Sequence, residues 1–177
     1  TDELIELAEL LQVPVTTTLL GKSAFPEVHP LALGSASLSM SGTVFHFVRR
    51  ADLMFGVGTS FTKHNMCMTV PPGKTMIQAT NDPADINKDY NIDRPIIGDA
   101  KLVLRQMIEA CREIVGDNRK NVTATAQEVS SEREAWLLEW RHKLTDNSTP
   151  INPYRVIWDF MHTIPPQDAI VTHDSGS

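Results

Sequence analysis

The sequence predicts an α/β protein: a parallel sheet flanked by helices, followed by a helical linker and a helix–strand extension. Three observations carry this expectation. Asp52–Val57 and Lys74–Thr80 are compact apolar runs without clean alternation, as strands buried on both faces should be. Segments with the helical period stand between such runs, so consecutive strands need crossovers and must lie parallel. Each run also stops at turn-forming residues, Gly58-Thr59-Ser60 after the first and Asn81-Asp82-Pro83 after the second.

Taken in order, Leu4, Leu7, Ala8 and Leu11 fall on one helical face, which predicts an amphipathic helix over 2–12. Pro14 ends it, and the β-branched run Val15-Thr16-Thr17-Thr18 predicts a short strand. Residues 21–41 hold Gly, Pro and Ser without a sustained period and read as a long, partly ordered loop. A helix follows from Gly42-Thr43 to Arg50, with Val44, Phe47 and Val48 on one side. After the two buried strands come a short strand, Pro95-Ile96-Ile97, and Asp99 as N-cap of a helix over 100–115. Leu102, Val103, Gln106, Met107 and Ala110 mark that helix.

The second part of the chain is less regular. Residues 116–124 are polar, and a charged helix over about 125–144 shows Trp136, Leu137 and Trp140 on its apolar side. Asn152 caps a further helix with Pro153 in its first turn, and Val156, Ile157, Phe160 and Met161 form its expected buried side. Ala169-Ile170-Val171-Thr172 reads as a strand. The expected organisation is a sheet domain over 1–115, a helical linker over 116–150 and the start of another domain over 151–177. Thr1-Asp2-Glu3 leads straight into a helix without an initiator Met, and residues 172–177 stop just past an apolar run. Both ends read as cut from a longer chain.

Composition narrows the function. A formal charge of −6 over 177 residues argues against nucleic acid, whose binding draws on phosphate neutralisation. No segment approaches a membrane span and no basic-then-apolar signal opens the chain, so a cytoplasmic protein is expected. Cys67 and Cys111 suggest no disulfide framework.

Gly21-Lys22-Ser23 has the tail of a P-loop but not its head. The glycine needed five residues before the Gly-Lys pair is Thr16, and Phe25-Pro26 breaks the helix a P-loop lysine must open. It reads as a decoy. His64, Met66, Cys67 and Met68 offer soft metal ligands, but without fixed spacing a loop folding its apolar side chains over a ligand or neighbour suits them better. No Gly-x-Ser-x-Gly or comparable catalytic set is present. Ligands of parallel sheets bind beyond the carboxyl ends of the strands, which directs attention to loops 19–25, 58–65, 80–86 and 172–177. Asn81-Asp82-Pro83-Ala84-Asp85-Ile86 there has two readings, a ribose-accepting carboxylate or a simple Asp-Pro turn.

The order of these motifs resembles one family. Leu10–Thr18 followed by Gly21-Lys22-Ser23-Ala24-Phe25-Pro26-Glu27 is similar to the central domain of thiamine diphosphate-dependent enzymes, the acetolactate synthases above all. Ala51-Asp52-Leu53, Gly56-Val57-Gly58, Asp82–Ile86 and Ile97-Gly98-Asp99-Ala100 follow in the family's order, and the resemblance resumes at 151–177. It implies a Rossmann-like middle domain of a 2-oxo acid decarboxylase or carboligase. Missing N- and C-terminal domains would supply the catalytic glutamate and most of the Mg2+ and diphosphate site.

For this piece the resemblance implies no catalytic residue and no metal ligand of its own. It implies a scaffold that makes subunit contacts in a homo-oligomer, with Lys22 and Phe25 beside the substrate channel. It also implies cofactor contacts at Ser39, Met40, Ser41, Gly42, Ser60, Asn81, Asp82, Ile86 and Asp99, and at Ser175, Gly176 and Ser177 near the diphosphate of thiamine diphosphate.

The chain departs from the members that bind FAD. They carry Gly-Met-His-Gly in place of Ser39-Met40-Ser41-Gly42, and an Arg-Phe-Asp-Asp-Arg run in place of Ser60-Phe61-Thr62-Lys63-His64. Loss of the arginine removes a bidentate partner for phosphate, so FAD, ADP or an empty site remain open. The family's middle domain also begins with a strand that is lacking here. Asp168–His173, of this chain or of a neighbouring molecule, is expected to fill its place. A nucleotide-binding module standing alone, and a purely structural interaction domain, are the competing readings.

Overall fold

The computed structural model describes residues 1–37, 39–64, 67–116, 122–165 and 168–172. The chain forms two compact units, Thr1–Glu134 and Ala135–Ser177. In the first unit the elements run α1 (Asp2–Leu11), β1 (Val15–Thr17), β2 (Ala32–Ser35), α2 (Gly42–Arg50), β3 (Leu53–Val57), β4 (Thr75–Thr80), β5 (Arg94–Ile97) and α3 (Ala100–Val115). Helix α4 (Val122–Leu144) begins in this unit, and α5 (Pro153–Thr163) belongs to the second.

Every strand pair is parallel, as the crossovers require. β1 pairs with β2, and β3–β4–β5 form a separate ladder with Leu53 opposite Thr75 and Ile77 opposite Arg94. The predicted α/β class holds. β2 is a correction to the loop expected over 21–41. It is short and interrupted by Gly34 at a positive φ of 99°, so it carries no period, yet pairing with β1 buries Ala32 and Leu33.

Helix α1 holds the unit together. Leu4, Ile5 and Ala8 share one apolar cluster with Val15 of β1, Phe25, Leu31 and Ala32. Leu4, Leu7, Leu10 and Leu11 share another with Phe55 and Val57 of β3 and with Leu104 and Ile108 of α3. The helix starts with Asp2 and Glu3, favourable at its positive end, and stops where Gln12 turns left-handed at φ 54° before Pro14. Glu3 pairs with Lys101 at 3.4 Å and Arg105 at 3.2 Å, fixing α1 on α3.

The buried face of α3 is Val103, Leu104 and Ile108, whereas Leu102 is exposed. The expected face was offset because Leu102 and Val103 both satisfy a helical period; the leucines of α1 select the stripe. On the sheet's other side, Val44 and Val48 of α2 cluster with Leu33 of β2, Met54 of β3 and Val129 of α4.

The first half of α4, within the expected linker, is part of this core. Val129 is 1% exposed, Ala126 packs beside Phe25, and Arg133 donates to the Ala32 carbonyl at 2.6 Å. Between α2 and α4, Arg50 pairs with Glu128, and His46 lies 3.3 Å from Glu128 and 3.4 Å from Glu132.

In the second unit, Trp136 and Trp140 are neighbours along α4 with rings tilted by 41°, and Tyr154 meets Trp140 edge-on with centroids 5.4 Å apart. Asn152 caps α5 by accepting from Tyr154 N at 3.0 Å, as expected. Arg155 binds Asp159 at 2.6 Å and Asn147 at 2.6 Å, tying the helix to the turn before it. The buried side expected for α5 is a correction: Val156, Ile157, Phe160 and Met161 are all exposed. Amphipathic pattern marks a face able to be buried, and no described element covers this one. The strand at 169–172 is a second correction. These residues form no strand, and Ile170 is 99% exposed.

The α2–α4 clasp has a pH signature. The Arg50 hydrogen bond, against some desolvation and helped by His46, holds the Glu128 carboxyl below its ordinary value of 4.5. A lowered carboxylate stabilises the folded state above its unfolded pKa, and this contribution fades as pH falls through the folded value. Glu128→Gln should therefore cost ~0.5 kcal/mol at pH 7, and the difference between wild type and variant should shrink in urea melts as pH falls below 4.5, the ordinary value, and through the lowered folded one.

Candidate functional site

The carboxyl ends of β3, β4 and β5 meet the start of α3 in one shallow cleft. Gly58, Ala79, Thr80, Asn81, Gly98, Asp99 and Ala100 line about 200 Å³. Parallel pairing creates it: three strands stop at one level and the chain turns away in three directions. Gly58 leaves β3 at a φ of 63° that favours glycine, and its N–H donates to the Ala79 carbonyl at 2.8 Å. Gly98 N donates to Thr80 O at 3.0 Å, so the β5–α3 turn is pinned to the end of β4.

Two expected site residues, Asn81 and Asp99, come together in this cleft. Asp99 Oδ1 accepts from Leu102 N at 3.1 Å and caps α3, whose N-terminus therefore faces the cleft with partial positive charge. Asp82 is turned to the adjacent 3-10 turn, where its Oδ1 accepts from Ala84 N at 2.9 Å. The turn reading of 81–86 is thus realised for Asp82, while Asn81 keeps an exposed side chain.

Beneath the loops, Gln78 is buried and its amide donates to Thr59 O at 2.9 Å and Asp85 O at 3.3 Å. Thr80 Oγ1 accepts from Asp82 N at 3.2 Å. These bonds hold the β3 and β4 loops against each other. Gly56 permits the approach: a Cβ there would meet the Phe61 ring at 2.4 Å.

The other expected residues stand elsewhere. Ser60 Oγ bonds Thr62 Oγ1 at 2.7 Å within its own loop, and Ile86 packs on Val70, Met76 and Ile92. Ser41 caps α2 by accepting from Val44 N at 3.3 Å, Gly42 opens that helix, Met40 packs on its core, and Ser39 is exposed. None of these lines the cleft. Ser175, Gly176 and Ser177 lie outside the described residues, as do Met66, His173 and Asp174.

Gly21-Lys22-Ser23 forms turns with no helix after them, and Lys22 Nζ sits 3.8 Å from Glu27. Phe25 is 1% exposed, in the core beside Ala8 and Leu31 and edge-on to His29. Met68 of the sulfur-rich loop packs into two core clusters. Gly58 and Gly98, which form walls of the cleft, were not foreseen as site residues; the signal was each glycine's place directly after a strand.

The sequence pattern described as "Thiamine pyrophosphate enzyme, central domain" matches residues 1–107. The chain belongs to this family. A "Probable acetolactate synthase large subunit" of Methanocaldococcus jannaschii is 33% identical over 191 residues, covering 99% of this chain and 30% of the relative. The acetolactate synthase isozyme 3 large subunit of Escherichia coli is 31% identical, covering 98% and 30%. A solved benzoylformate decarboxylase from Polynucleobacter necessarius matches 61% of this chain with 26% identity and a TM-score of 0.49. The chain spans about 30% of the length of the acetolactate synthases it matches. Within the described residues no helix is long and apolar enough to cross a membrane.

Two substitutions separate architecture from ligand contact at these central-domain positions. Phe25→Ala should cost about 3–5 kcal/mol in urea unfolding, because it empties a closed site, whereas Phe25→Leu should cost much less. Asp99→Ala should cost about 1 kcal/mol through loss of the α3 cap, and Asp99→Ser should restore most of it by the same measurement.

Proposed function

We propose that this chain is the central part of a thiamine diphosphate-dependent enzyme that decarboxylates 2-oxo acids and joins the products, as an acetolactate synthase does. The match of residues 1–107 to the family's central domain carries this reading. The chain's own task is to scaffold. It presents Leu20 and Val28, both almost fully exposed, on the loop that also holds Lys22, and this loop is proposed to meet a second subunit near the substrate channel. Thiamine diphosphate supplies the electron sink for decarboxylation when bound. Its catalytic glutamate and Mg2+ ligands belong to domains outside these residues, with Ser175–Ser177 proposed to approach its diphosphate.

The cleft at the strand ends is proposed to take the ribose-phosphate part of an adenine nucleotide. A 200 Å³ cleft is too small for FAD as a whole, since drug-sized ligands need roughly 300 Å³ or more, but it suits a sugar and one phosphate. The α3 N-terminus favours the anion, and the Asn81 amide and Asp99 carboxylate can bond ribose hydroxyls. Among the cleft residues there is no arginine or lysine, which predicts weak binding.

Calorimetric titration with ADP, FAD and NAD tests both parts. ADP should bind with a Kd of about 0.1–1 mM and FAD no more tightly, and Gly98→Val should abolish the heat without unfolding the chain. The chain alone, given thiamine diphosphate and Mg2+, should not consume pyruvate. Turnover by the chain alone would overturn the scaffold reading, and absence of any nucleotide heat would leave a purely structural domain.

A further inference from the structure

One imidazole fastens the segment between β1 and β2. His29 N donates to the Pro26 carbonyl at 3.0 Å, and the His29 carbonyl accepts from Ala32 N at 2.9 Å. The side chain is 14% exposed, and each ring nitrogen has a partner of its own. Nδ1 accepts from Leu31 N at 3.1 Å, and Nε2 lies 3.3 Å from Oε1 of Glu9 on α1. The ring also meets Phe25 edge-on, with centroids 4.9 Å apart. Helix α1, the connecting segment and the start of β2 therefore converge on this one side chain.

These partners fix the state of the ring. A backbone N–H can only donate, so the Nδ1 facing Leu31 carries a lone pair and no proton. An ionised Glu9 can only accept, so the single ring proton lies on Nε2. A neutral Nε2–H imidazole satisfies both contacts. A second proton, on Nδ1, would point at the Leu31 N–H and take away its acceptor. Leu31 is 2% exposed, and its carbonyl accepts from Val15 N at 2.9 Å. The lost bond would thus fall on a buried amide at the first rung between β1 and β2.

The charges around the ring do not offset that loss. Glu9 from α1 favours an imidazolium, but its side chain is 46% exposed. A half-exposed ion pair contributes less than a buried N–H left without a partner costs. Glu27 of the same segment is engaged by Lys22 at 3.8 Å. Arg133 of α4 reaches the neighbouring Ala32 carbonyl, and a cation there opposes further positive charge. β1 and β2 bring no charged residue.

We propose that His29 is a proton-operated latch on the segment between β1 and β2. With the ring neutral, the segment is fastened to α1 and β2. With the ring charged, it comes loose at Leu31 while the clusters that hold β3, β4 and α3, to which His29 does not belong, stay intact. Leu20 and Val28, 100% and 94% exposed, ride on this segment together with Lys22. Acidification therefore changes how this apolar surface is presented, whatever it meets.

Amide exchange in the whole chain tests the latch, with protection factors compared at about pH 7.5 and about pH 5.5, on either side of the ordinary imidazole range. Protection of the Leu31 amide should fall about tenfold or more at the lower pH. Protection of the Gly58 amide, bonded to Ala79 between β3 and β4, should not change. In His29→Asn the side-chain oxygen can replace Nδ1 as acceptor but takes up no proton in this range, so Leu31 should be equally protected at both pH values. Ring nitrogen shifts of the wild type, which need no variant, should report the Nε2–H tautomer at the higher pH. Equal protection of Leu31 at both pH values in the wild type, or the same fall in His29→Asn, would overturn the proposal. So would an equal fall at Gly58, or an Nδ1–H tautomer.

Discussion

One contact governs the first unit: the packing of α1 across a two-stranded and a three-stranded sheet that share no strand pairing among the described residues. Leu4 belongs to the cluster at β1 and to the cluster at β3, and its neighbours Leu7 and Ala8 are almost wholly buried. A two-stranded parallel sheet has little independent stability in water. β1 and β2 persist because α1, Phe25 and the first half of α4 close over them, while β3–β4–β5 rest on α1 and α3. The Glu3 pairs to Lys101 and Arg105 orient that packing rather than supply its free energy, which comes from buried apolar area.

The cleft inherits its form from the same arrangement. Strands that run parallel end together, and their ends expose amide groups and a helix start to solvent. The side chains there are mostly spent on architecture: Asp99 on the α3 cap, Asp82 on its turn, Gln78 and Thr80 on the loops. What remains for a ligand is a dipole, the Asn81 amide, the second carboxylate oxygen of Asp99 and glycine-lined space. This is a surface suited to holding part of a molecule in place, and it contains no pair of groups arranged to move a proton.

Much of this was legible in the sequence, and the exceptions share a cause. Asp99 and Asn152 were visible as caps because a cap depends on neighbours within a few residues. β3 and β4 were visible because compact apolar runs between turn residues mean little else. β2 escaped because Gly34 interrupts it and only its partner β1 makes it a strand. The stripe on α3 is chosen by α1, and the face of α5 and the run at 169–172 lack a covering partner among the described residues. Asn81 and Asp99 were foreseen at strand ends. The glycines beside them were not, since a wall without side chains reads as a turn.

The central claim is that the two-stranded and three-stranded sheets fold as one unit because α1 bridges them on one face, with α2 joining Leu33 of β2 and Met54 of β3 as well. It is tested most directly by chemical denaturation followed residue by residue, with NMR signals from Ala32 and Leu33 on one side and Met76 and Ala79 on the other. The account predicts coincident midpoints for both sets, and a joint shift to lower denaturant in Leu4→Ala. Two separate transitions, or a Leu4→Ala change that moves only one set, would contradict it.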